Sequence, residues 1–349
     1  MRVAILADIH GNLPACEAVL EDIARMSPDY VVAAGDLALR GAHPKETLDL
    51  LFSRCHALLI GNTDSYIAGN YLGGAYREKD HWKRELLDWT RNEVGPAYVE
   101  RLGKLPFAVR YSPRRGQDLY VCHANPKNLE DSLEPTLEEA DLRRFFANVD
   151  AAACAFGHLH FPYRRRLGRM VIADVASAGL PRDGDLRPAY GLFTFTPRGW
   201  RVQIRRVRYP VKKATQALTA RKVPGAPLLI HKLVEARYRH HHAMLEAARR
   251  HSGLPPLPLL RPPPGVRHPD QVSITAEAAL GPVLPPPAAL AAEASEAEDS
   301  IPDGLPLSAE PQIGPAPGPV LPPPQGLEAP HEDESAGESK PLSASEAEG

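Results

Sequence analysis

The sequence predicts an α/β fold in which two β-sheets pack as a sandwich flanked by helices. In the first half, short apolar runs alternate with helical segments, which is the rhythm of a layered α/β protein. In the second half, short apolar runs follow one another without long helices between them. We expect these later strands to pair antiparallel at one side of the sandwich.

Three buried strands and two helices are predicted in the first 60 residues. The strands are the apolar runs 3–7, 30–34 and 57–60. The helices are residues 14–26 and 44–54. Each helix begins with a proline, which suits the first helical turn. Ala15, Val19, Ile23 and Met26 recur at helical spacing, so the first helix is expected to bury one face.

A long helical stretch and five more strands are predicted after residue 60. Residues 65–105 are expected to be mainly helical. The strands are residues 119–122, 152–156, 170–173, 191–196 and 200–207. Two helices rich in Lys and Arg follow at 211–222 and 227–250. We therefore predict a core domain over residues 1–210 and a basic helical extension over residues 211–251.

The last 98 residues differ sharply in composition from the rest. From Ser252 onward the chain has 22 of its 37 prolines, and it has 3 basic against 15 acidic residues. Such a segment cannot bury enough apolar surface to offset the entropy lost on ordering. We predict a disordered, partly polyproline-like tail over residues 252–349 that acts as a solubilising linker. Recruitment of a partner through its proline runs is the alternative.

Composition and charge limit the classes of function. The first 251 residues have 38 basic and 28 acidic residues, a balance that suits an anionic substrate or simply a solvated basic surface. The basic helices lack the interleaved aromatic residues typical of nucleic-acid binding, which therefore stays a secondary hypothesis. The start MRVAILADIH has no cleavable-signal pattern, and no run of 18 apolar residues occurs. With four cysteines and no CxxC pair, we expect a reduced cytoplasmic protein without a membrane span.

Five short polar motifs follow predicted strands, where side chains from distant parts of an α/β chain converge on one crevice. The motifs are Asp8-Ile9-His10-Gly11-Asn12, Gly35-Asp36, Gly61-Asn62-Thr63-Asp64, His123-Ala124-Asn125-Pro126 and Gly157-His158-Leu159-His160. If the strands continue through these motifs, alternation places Asp8 with His10, and His158 with His160, on the same side.

The motifs supply a coherent set of metal donors. The seven candidates are Asp8, His10, Asp36, Asn62, His123, His158 and His160. Mixed oxygen and imidazole donors without thiolate favour Mn, Fe, Zn, Ni or Co in five- or six-coordinate sites. Seven donors exceed the needs of one ion, whereas two divalent ions about 3.5–4 Å apart, with a bridging hydroxide between them, would use them economically for in-line displacement at phosphorus.

These motifs, in this order, resemble the calcineurin-like metallophosphoesterases, and most closely their small bacterial and archaeal phosphodiesterase branch with a GNxD motif. The resemblance runs from Met1 to about Val207 and implies a four-layer α/β sandwich, so residues 1–210 would be a metallophosphoesterase domain. It also implies that Asp8, His10, Asp36 and His160 bind one ion. The second ion would be bound by Asp36, shared between the two, with Asn62, His123 and His158.

The sequence also departs from the pattern of the superfamily. Thr63 stands where many members have a histidine that protonates the leaving group, so the general acid is open. Ala124 replaces a glycine. Near residue 180, Asp174 replaces the usual asparagine and Ala176 the usual glycine, whereas Pro181-Arg182 keeps the motif.

The predicted activity is hydrolysis of a phosphoester, preferably a phosphodiester, with Mn²⁺ as the expected metal and a small phosphoester or nucleotide as substrate. Asp36, Asn62 and His123 are the predicted catalytic residues, and Asn12, Asn62 and Arg182 are predicted to contact substrate, with helix capping as the alternative role for Asn12. Neighbouring carboxylates are expected to orient His158 and His160.

Three alternatives remain open at this point. The first is a phosphomonoesterase, the second a nucleotide pyrophosphatase, and the third a non-catalytic scaffold of the same fold that recruits partners through its tail. The role of Asp64 is likewise open between orienting a ligand and closing a turn.

Overall fold

A computed structural model describes residues 1–69, 81–237 and 241–253, together with the backbone of residues 320–321. Nearly all of the predicted tail, residues 252–349, lies outside the described residues, so its disorder stays a prediction. Within the described residues, no helix combines the length and apolar character that crossing a lipid bilayer requires. No disulfide joins the four cysteines, of which Cys16, Cys122 and Cys154 are buried.

The described residues contain eleven strands and nine helices. The strands are β1 (Arg2–Leu6), β2 (Tyr30–Ala34), β3 (Ala57–Leu59), β4 (Ala108–Tyr111), β5 (Leu119–Cys122), β6 (Ala153–Phe156), β7 (Tyr163–Leu167), β8 (Met170–Asp174), β9 (Ala189–Thr196), β10 (Gly199–Arg206) and β11 (Val320–Leu321). The helices are α1 (Leu13–Met26), α2 (Pro44–Arg54), α3 (Asn62–Ala68), α4 (His81–Val94), α5 (Pro96–Gly103), α6 (Glu139–Phe145), α7 (Val211–Ala220), α8 (Ala226–Glu235) and α9 (His241–His251).

Two mixed sheets form the centre of the fold, as the sequence predicts. The first has the order β10-β9-β1-β2-β3. In it β1, β2 and β3 are parallel to one another, and β9 is antiparallel to both of its neighbours, β1 and β10. The second has the order β11-β4-β5-β6-β8-β7. Its central pairs, β5 with β6 and β6 with β8, are parallel. The expectation that all later strands pair antiparallel is therefore wrong for these two pairs.

Alternation along the strands builds two faces on each sheet. In β1, Val3 and Ile5 pack between the sheets, whereas Ala4 and Leu6 face a cluster that includes α1. The other face of the second sheet packs against a third apolar cluster. Leu142 of α6 and Met244 and Ala248 of α9 belong to this cluster. The layers are therefore helices, sheet, sheet and helices, the four-layer α/β sandwich that the family resemblance implies.

The helices after β10 belong to the same packing. Leu218 of α7 and Leu229 of α8 are buried in the cluster that contains α1 and one face of the first sheet. On the far side, Met244 and Ala248 of α9 are buried in the cluster beneath the second sheet. Apolar contacts attach these helices to the core, and Arg221 at the end of α7 adds ion pairs to Glu46 of α2 and Glu93 of α4.

A candidate metal centre between the sheets

The loops after five strands bring the seven predicted donors together at one edge of the sandwich. Because β1, β2 and β3 are parallel, their carboxyl ends meet at the same edge, and so do those of β5 and β6. The donors follow these strands in chain order: Asp8 and His10 after β1, Asp36 after β2, Asn62 after β3, His123 after β5, and His158 and His160 after β6.

A left-handed backbone, and not strand alternation, aims five of the seven side chains. The φ angles are 54° at Asp8, 50° at His10, 54° at Asp36, 70° at His158 and 57° at His160. The strands end before these residues, so the alternation argument does not hold for them. Asp and His tolerate this region better than most residues, but each costs about 1 kcal/mol or more, a strain typical of functional sites.

Four of the donors form a first group, here called subsite A: Asp8, His10, Asp36 and His160. One donor atom from each of the four lies within 4.8 Å of those of the others. Nε2 of His160 is 3.2 Å from Oδ1 of Asp8, and Nε2 of His10 is 3.6 Å from Oδ2 of Asp36. All four residues are buried. Subsite A thus has the size and the donors of a single cation site.

The remaining donors surround the other oxygen of Asp36 and are here called subsite B: Asp36, Asn62, His123 and His158. Nε2 of His123 lies 3.3 Å from Oδ1 of Asp36 and 3.1 Å from Oδ1 of Asn62. Nδ1 of His158 lies 3.3 Å from Nε2 of His123. Asp36 therefore lies between the two groups, with one carboxylate oxygen towards each.

In subsite A, backbone carbonyls set the tautomers of both histidines. Nδ1 of His10 is 2.9 Å from the carbonyl oxygen of Leu39, and Nδ1 of His160 is 2.5 Å from that of Leu180. Because a carbonyl only accepts, each Nδ1 must carry the proton and each Nε2 is left with a lone pair. The two Nε2 atoms face each other at 3.1 Å. Two lone pairs at this distance repel unless a cation lies against both.

The histidines of subsite B are held in the same way. Nδ1 of His123 is 2.9 Å from the carbonyl oxygen of Ala34, which leaves Nε2 of His123 as an acceptor. Nε2 of His158 is 2.9 Å from the carbonyl oxygen of Glu130, which leaves Nδ1 of His158 as an acceptor. Carbonyls, and not the carboxylates expected from the sequence, orient His158 and His160. The reason is that the surrounding loops turn their main chain towards the rings.

The whole centre is therefore made of acceptors, and this composition fits divalent cations. Oδ1 of Asp8 is buried and accepts no hydrogen bond. No thiol contributes a donor, because the nearby Cys122 belongs to the cluster beneath the second sheet. Oxygen and imidazole donors without hydrogen atoms between them are what Mn²⁺, Fe, Zn²⁺, Ni²⁺ or Co²⁺ would take, with Asp36 able to serve both subsites.

Burial and neighbouring charges shift the pKa values of several of these groups. Burial lowers the pKa of His123, but the charges of Asp36 and Asp8 raise it overall. Burial and the charge of Arg40 lower the pKa of His10 to about 3. Burial and the charge of His123 lower the pKa of His158 to about 4. Burial alone would raise the pKa of Asp36, but the charges of the neighbouring histidines, His123 foremost, bring it well below the usual range. At neutral pH, His10 and His158 are therefore neutral and Asp36 is charged.

Asp64 closes the loops around Asp36. Its carboxylate accepts hydrogen bonds from the backbone N–H groups of Asp36 at 2.8 Å, Leu37 at 2.9 Å and Gly61 at 2.9 Å. The N–H of Thr63 donates to Oδ1 of Asp36 at 2.9 Å. These contacts show that Asp64 closes the turn, which is one of the two roles considered for it. By holding this loop, Asp64 also orients Asp36.

Asn12 and Arg182 are predicted to contact substrate although they are not metal donors. Both lie near the centre, but they make different hydrogen bonds. Nδ2 of Asn12 donates to the carbonyl oxygen of Gly179 at 2.7 Å, and Oδ1 of Asn12 accepts from the N–H of Ala15 at 3.4 Å. Asn12 therefore caps the N-terminus of α1 and links it to the loop that contains Gly179. The N–H of Arg182 donates to the carbonyl oxygen of His160, so Arg182 follows directly behind subsite A.

Three residues near the centre were not singled out from the sequence. Glu130 and Tyr66 hydrogen-bond to each other beside Asn62. Arg40, with a φ of 91°, lies close enough to lower the pKa of His10 and lines a small apolar cavity with His10 and His43. Arg40 follows Gly35-Asp36 closely, and a positive charge so near a candidate phosphate site was a usable clue.

The sequence is similar to those of known proteins. Residues 1–162 match the sequence profile of the family described as calcineurin-like phosphoesterase. An uncharacterized protein of Methanocaldococcus jannaschii is 24% identical over 247 residues, which cover 64% of this chain and 93% of the relative.

Two solved structures share the architecture. A metallophosphoesterase from Sphaerobacter thermophilus is 25% identical and superposes with a TM-score of 0.56, covering 68% of this chain and 99% of its own. A hypothetical protein from Pyrococcus horikoshii is similar in fold, at 19% identity and a TM-score of 0.58, covering 67% of this chain and 98% of its own. All seven candidate donors lie within the matched residues 1–162, and this segment belongs to the calcineurin-like phosphoesterase family.

Proposed function

We propose that the chain is a phosphodiesterase that works with two divalent cations, Mn²⁺ being the expected metal. One observation carries the proposal: the seven donor side chains converge, and the facing Nε2 atoms of His10 and His160 lie 3.1 Å apart, where a cation would relieve the repulsion between two neutral rings. Membership of a phosphoesterase family supports the class of reaction. A cytoplasmic location, expected from the sequence, is supported by the buried thiols.

The two ions would occupy subsites A and B and share Asp36. In subsite A the ligands would be Asp8, His10, Asp36 and His160, and in subsite B they would be Asp36, Asn62, His123 and His158. Ions bound there would supply Lewis-acid activation of the phosphoryl group and of the attacking water. Backbone carbonyls hold one ring nitrogen of each of the four imidazoles, which turns the other nitrogen towards the site.

The exposed side of the centre is at subsite B, and this is where we propose that substrate approaches. All donors of subsite A are buried, whereas His158 is only half-buried and its neighbour Glu130 is exposed. Asn62 and His123 would then lie beneath the phosphate. Arg40, and Arg182 behind subsite A, would add positive charge that attracts an anionic ester.

A diester with a good leaving group is the substrate class that best suits this site. Thr63 is fully buried and its N–H donates to Asp36, so its side chain is not placed to protonate a leaving group at the surface. Hydrolysis without an acid at that position is fastest when the leaving alcohol is itself acidic. The phosphomonoesterase and pyrophosphatase alternatives demand the same metals and are separated from the proposal by substrate preference.

The test is hydrolysis by metal-stripped protein before and after addition of Mn²⁺, with bis-p-nitrophenyl phosphate and p-nitrophenyl phosphate as substrates. We expect no activity without metal, and restored cleavage that is faster on the diester. Faster cleavage of the monoester would favour a phosphomonoesterase. Two bound ions without cleavage of either substrate would contradict the proposal and favour the scaffold alternative.

A further inference from the structure

Asn62 poses an orientation problem for subsite B. The oxygen and nitrogen of an amide are nearly equal in size, but only the oxygen can bind a metal. In the structure, Oδ1 of Asn62 faces Nε2 of His123 at 3.1 Å. Something on the other side of the amide must therefore accept its N–H groups, or the side chain would turn over at little cost.

Tyr66 and Glu130 supply that acceptor side. Tyr66 lies one turn after Asn62 on α3, and its hydroxyl accepts a hydrogen bond from Nδ2 of Asn62 at 3.3 Å. The same hydroxyl donates to the carboxylate of Glu130, at 2.7 Å from Oε1 and 2.8 Å from Oε2. Because Glu130 accepts the hydroxyl proton, a lone pair of the Tyr66 oxygen is left for Asn62. The chain of hydrogen bonds therefore has one direction.

Glu130 also acts on a second donor through its main chain. Its carbonyl oxygen accepts the N–H at Nε2 of His158 at 2.9 Å, which turns Nδ1 of His158 towards His123. Asn128 holds the Glu130 segment in place, because its Oδ1 accepts the N–H of Glu130 at 3.0 Å. Oε2 of Glu130 also accepts from Nδ2 of Asn62 directly, at 3.5 Å, so Glu130 touches two of the four donors of subsite B.

We infer that Glu130 and Tyr66 are positioning residues that select and hold the metal-binding oxygen of Asn62, and thereby set the affinity of subsite B alone. The inference rests on the proposed two-metal function. Both residues act through Asn62 and not on the substrate. Outer residues of this kind typically change metal affinity by about 10–100-fold.

The test is titration of metal-stripped, full-length protein with Mn²⁺ by calorimetry, which reports the number of ions and both dissociation constants. Tyr66→Phe keeps the ring but removes the hydroxyl, and Glu130→Ala removes the carboxylate of an exposed residue. In both variants we expect one dissociation constant, that of subsite B, to rise about 10–100-fold and the other to stay unchanged. Glu130→Gln keeps an acceptor oxygen for the hydroxyl, so we expect it to recover most of the affinity.

The matched control is Tyr98→Phe, which removes a hydroxyl that donates to Asp49 on the surface of another helix pair. It should bind both ions like the wild type. Wild-type affinities in Glu130→Ala and Tyr66→Phe would overturn the inference. So would Glu130→Gln binding as weakly as Glu130→Ala, because the charge and not the hydrogen bond would then matter. A wild-type protein that binds fewer than two ions would contradict the proposed function itself.

Discussion

Six of the seven donor side chains of the centre are oriented by main-chain atoms close to them, Asn62 being the exception. The loop of His123 is an example: its ring bonds to the carbonyl of Ala34, and its own carbonyl accepts the N–H of Gly157 at 2.8 Å. Similarly, the carboxylate of Asp8 accepts the N–H of His158 at 2.8 Å. Main-chain groups move little, so these six donors are held in the binding geometry without relying on flexible side chains, whereas Asn62 is held by the side chains of Tyr66 and Glu130.

Asp36 is the residue whose loss should matter most. Its carboxylate oxygens lie 3.6 Å from Nε2 of His10 and 3.3 Å from Nε2 of His123, so both subsites depend on it. Asp36→Asn keeps the shape but removes the charge. We expect at least one ion to be lost and the rate of diester hydrolysis to fall by more than the roughly 100-fold typical of an outer-shell change. Metal analysis and the Mn²⁺-restored assay would measure both.

Asp49→Asn is the control for this substitution, because Asp49 is an exposed aspartate on α2 that pairs with Lys45. It should keep both ions and full activity. If Asp36→Asn also kept two ions and near-normal turnover, the sharing of Asp36 between the subsites would be wrong.

At the residue scale, the sequence predicts that these seven side chains converge, but it does not predict what supports them. Their convergence could be predicted because each is a metal-binding residue type that follows a strand within a few residues. The left-handed backbone of His10 or His158, and the carbonyl that sets each tautomer, could not be found, because they depend on loop paths. Glu130 was missed for a similar reason: it lies in a polar loop, and only the fold brings it within reach of Asn62 and Tyr66.

Asp22 of α1 links this helix to the first sheet through hydrogen bonds to β9 and β10. Its carboxylate, 8% exposed, accepts from the hydroxyl of Tyr190 in β9 at 2.8 Å and from Nε of Arg205 in β10 at 2.8 Å. Nη2 of Arg25 adds a third bond at 3.0 Å. A buried carboxylate with three donors is well compensated, and removing it leaves buried donors without an acceptor.

We expect Asp22→Asn to lower the free energy of unfolding by about 1–2 kcal/mol without affecting metal binding. Hydrogen bonds from Arg205 first, and from Tyr190 and Arg25, lower the pKa of Asp22 from 3.8 to about 2. The folded pKa is the lower one, so this stabilisation is complete above about pH 4 and is lost as the pH falls towards 2.

Urea unfolding of the wild type and Asp22→Asn at pH 6 and pH 3 would measure this dependence. The difference between the two proteins should be smaller at pH 3. A difference that stays constant or grows towards acid would show that the carboxylate charge is not what ties α1 to the sheet.

Whether an element could be predicted depended on where it lies in the sheet. The apolar runs of β2 and β5 are central and were predicted with the bounds that they have. The strands β4 and β7 were missed, and β7, an edge strand, carries Arg164, Arg165 and Arg166 in a row. Charge on an edge strand prevents pairing with other chains but removes the alternation that marks a strand. The parallel pairing of β6 with β8 was missed because β7 comes between them in the chain.

At the scale of the whole molecule, the helices after residue 210 close the core that supports the metal centre. Leu218, Val223 and Leu229 are each less than 5% exposed, and they pack in the cluster of α1. The cavity beside His10 is lined by side chains of both α7 and α8. The predicted boundary at residue 210 follows a change in charge, whereas the apolar contacts continue across it.

Two truncations separate these parts of the chain. A protein that ends at residue 253 keeps every described helix, and we expect its Mn²⁺-restored diesterase activity to stay within tenfold of the full-length rate. A protein that ends at residue 210 lacks Leu218, Val223 and Leu229 and exposes the apolar side chains that pack against them. Burial of each of these three side chains contributes roughly 1.5–3 kcal/mol to stability. That loss is comparable to the whole stability of an ordinary domain, so we expect it to aggregate or unfold.

Thermal unfolding and diester hydrolysis of the two truncated proteins would check this. The matched substitution Leu218→Ala, in the full-length chain, should lower the free energy of unfolding by about 2–5 kcal/mol, as a cavity in a packed core does. A stable, active protein ending at residue 210 would mean that α7 and α8 only rest on the core. In that case the apolar contacts of Leu218 would be dispensable, and the basic helices would be a separate appendage, as their composition alone indicates.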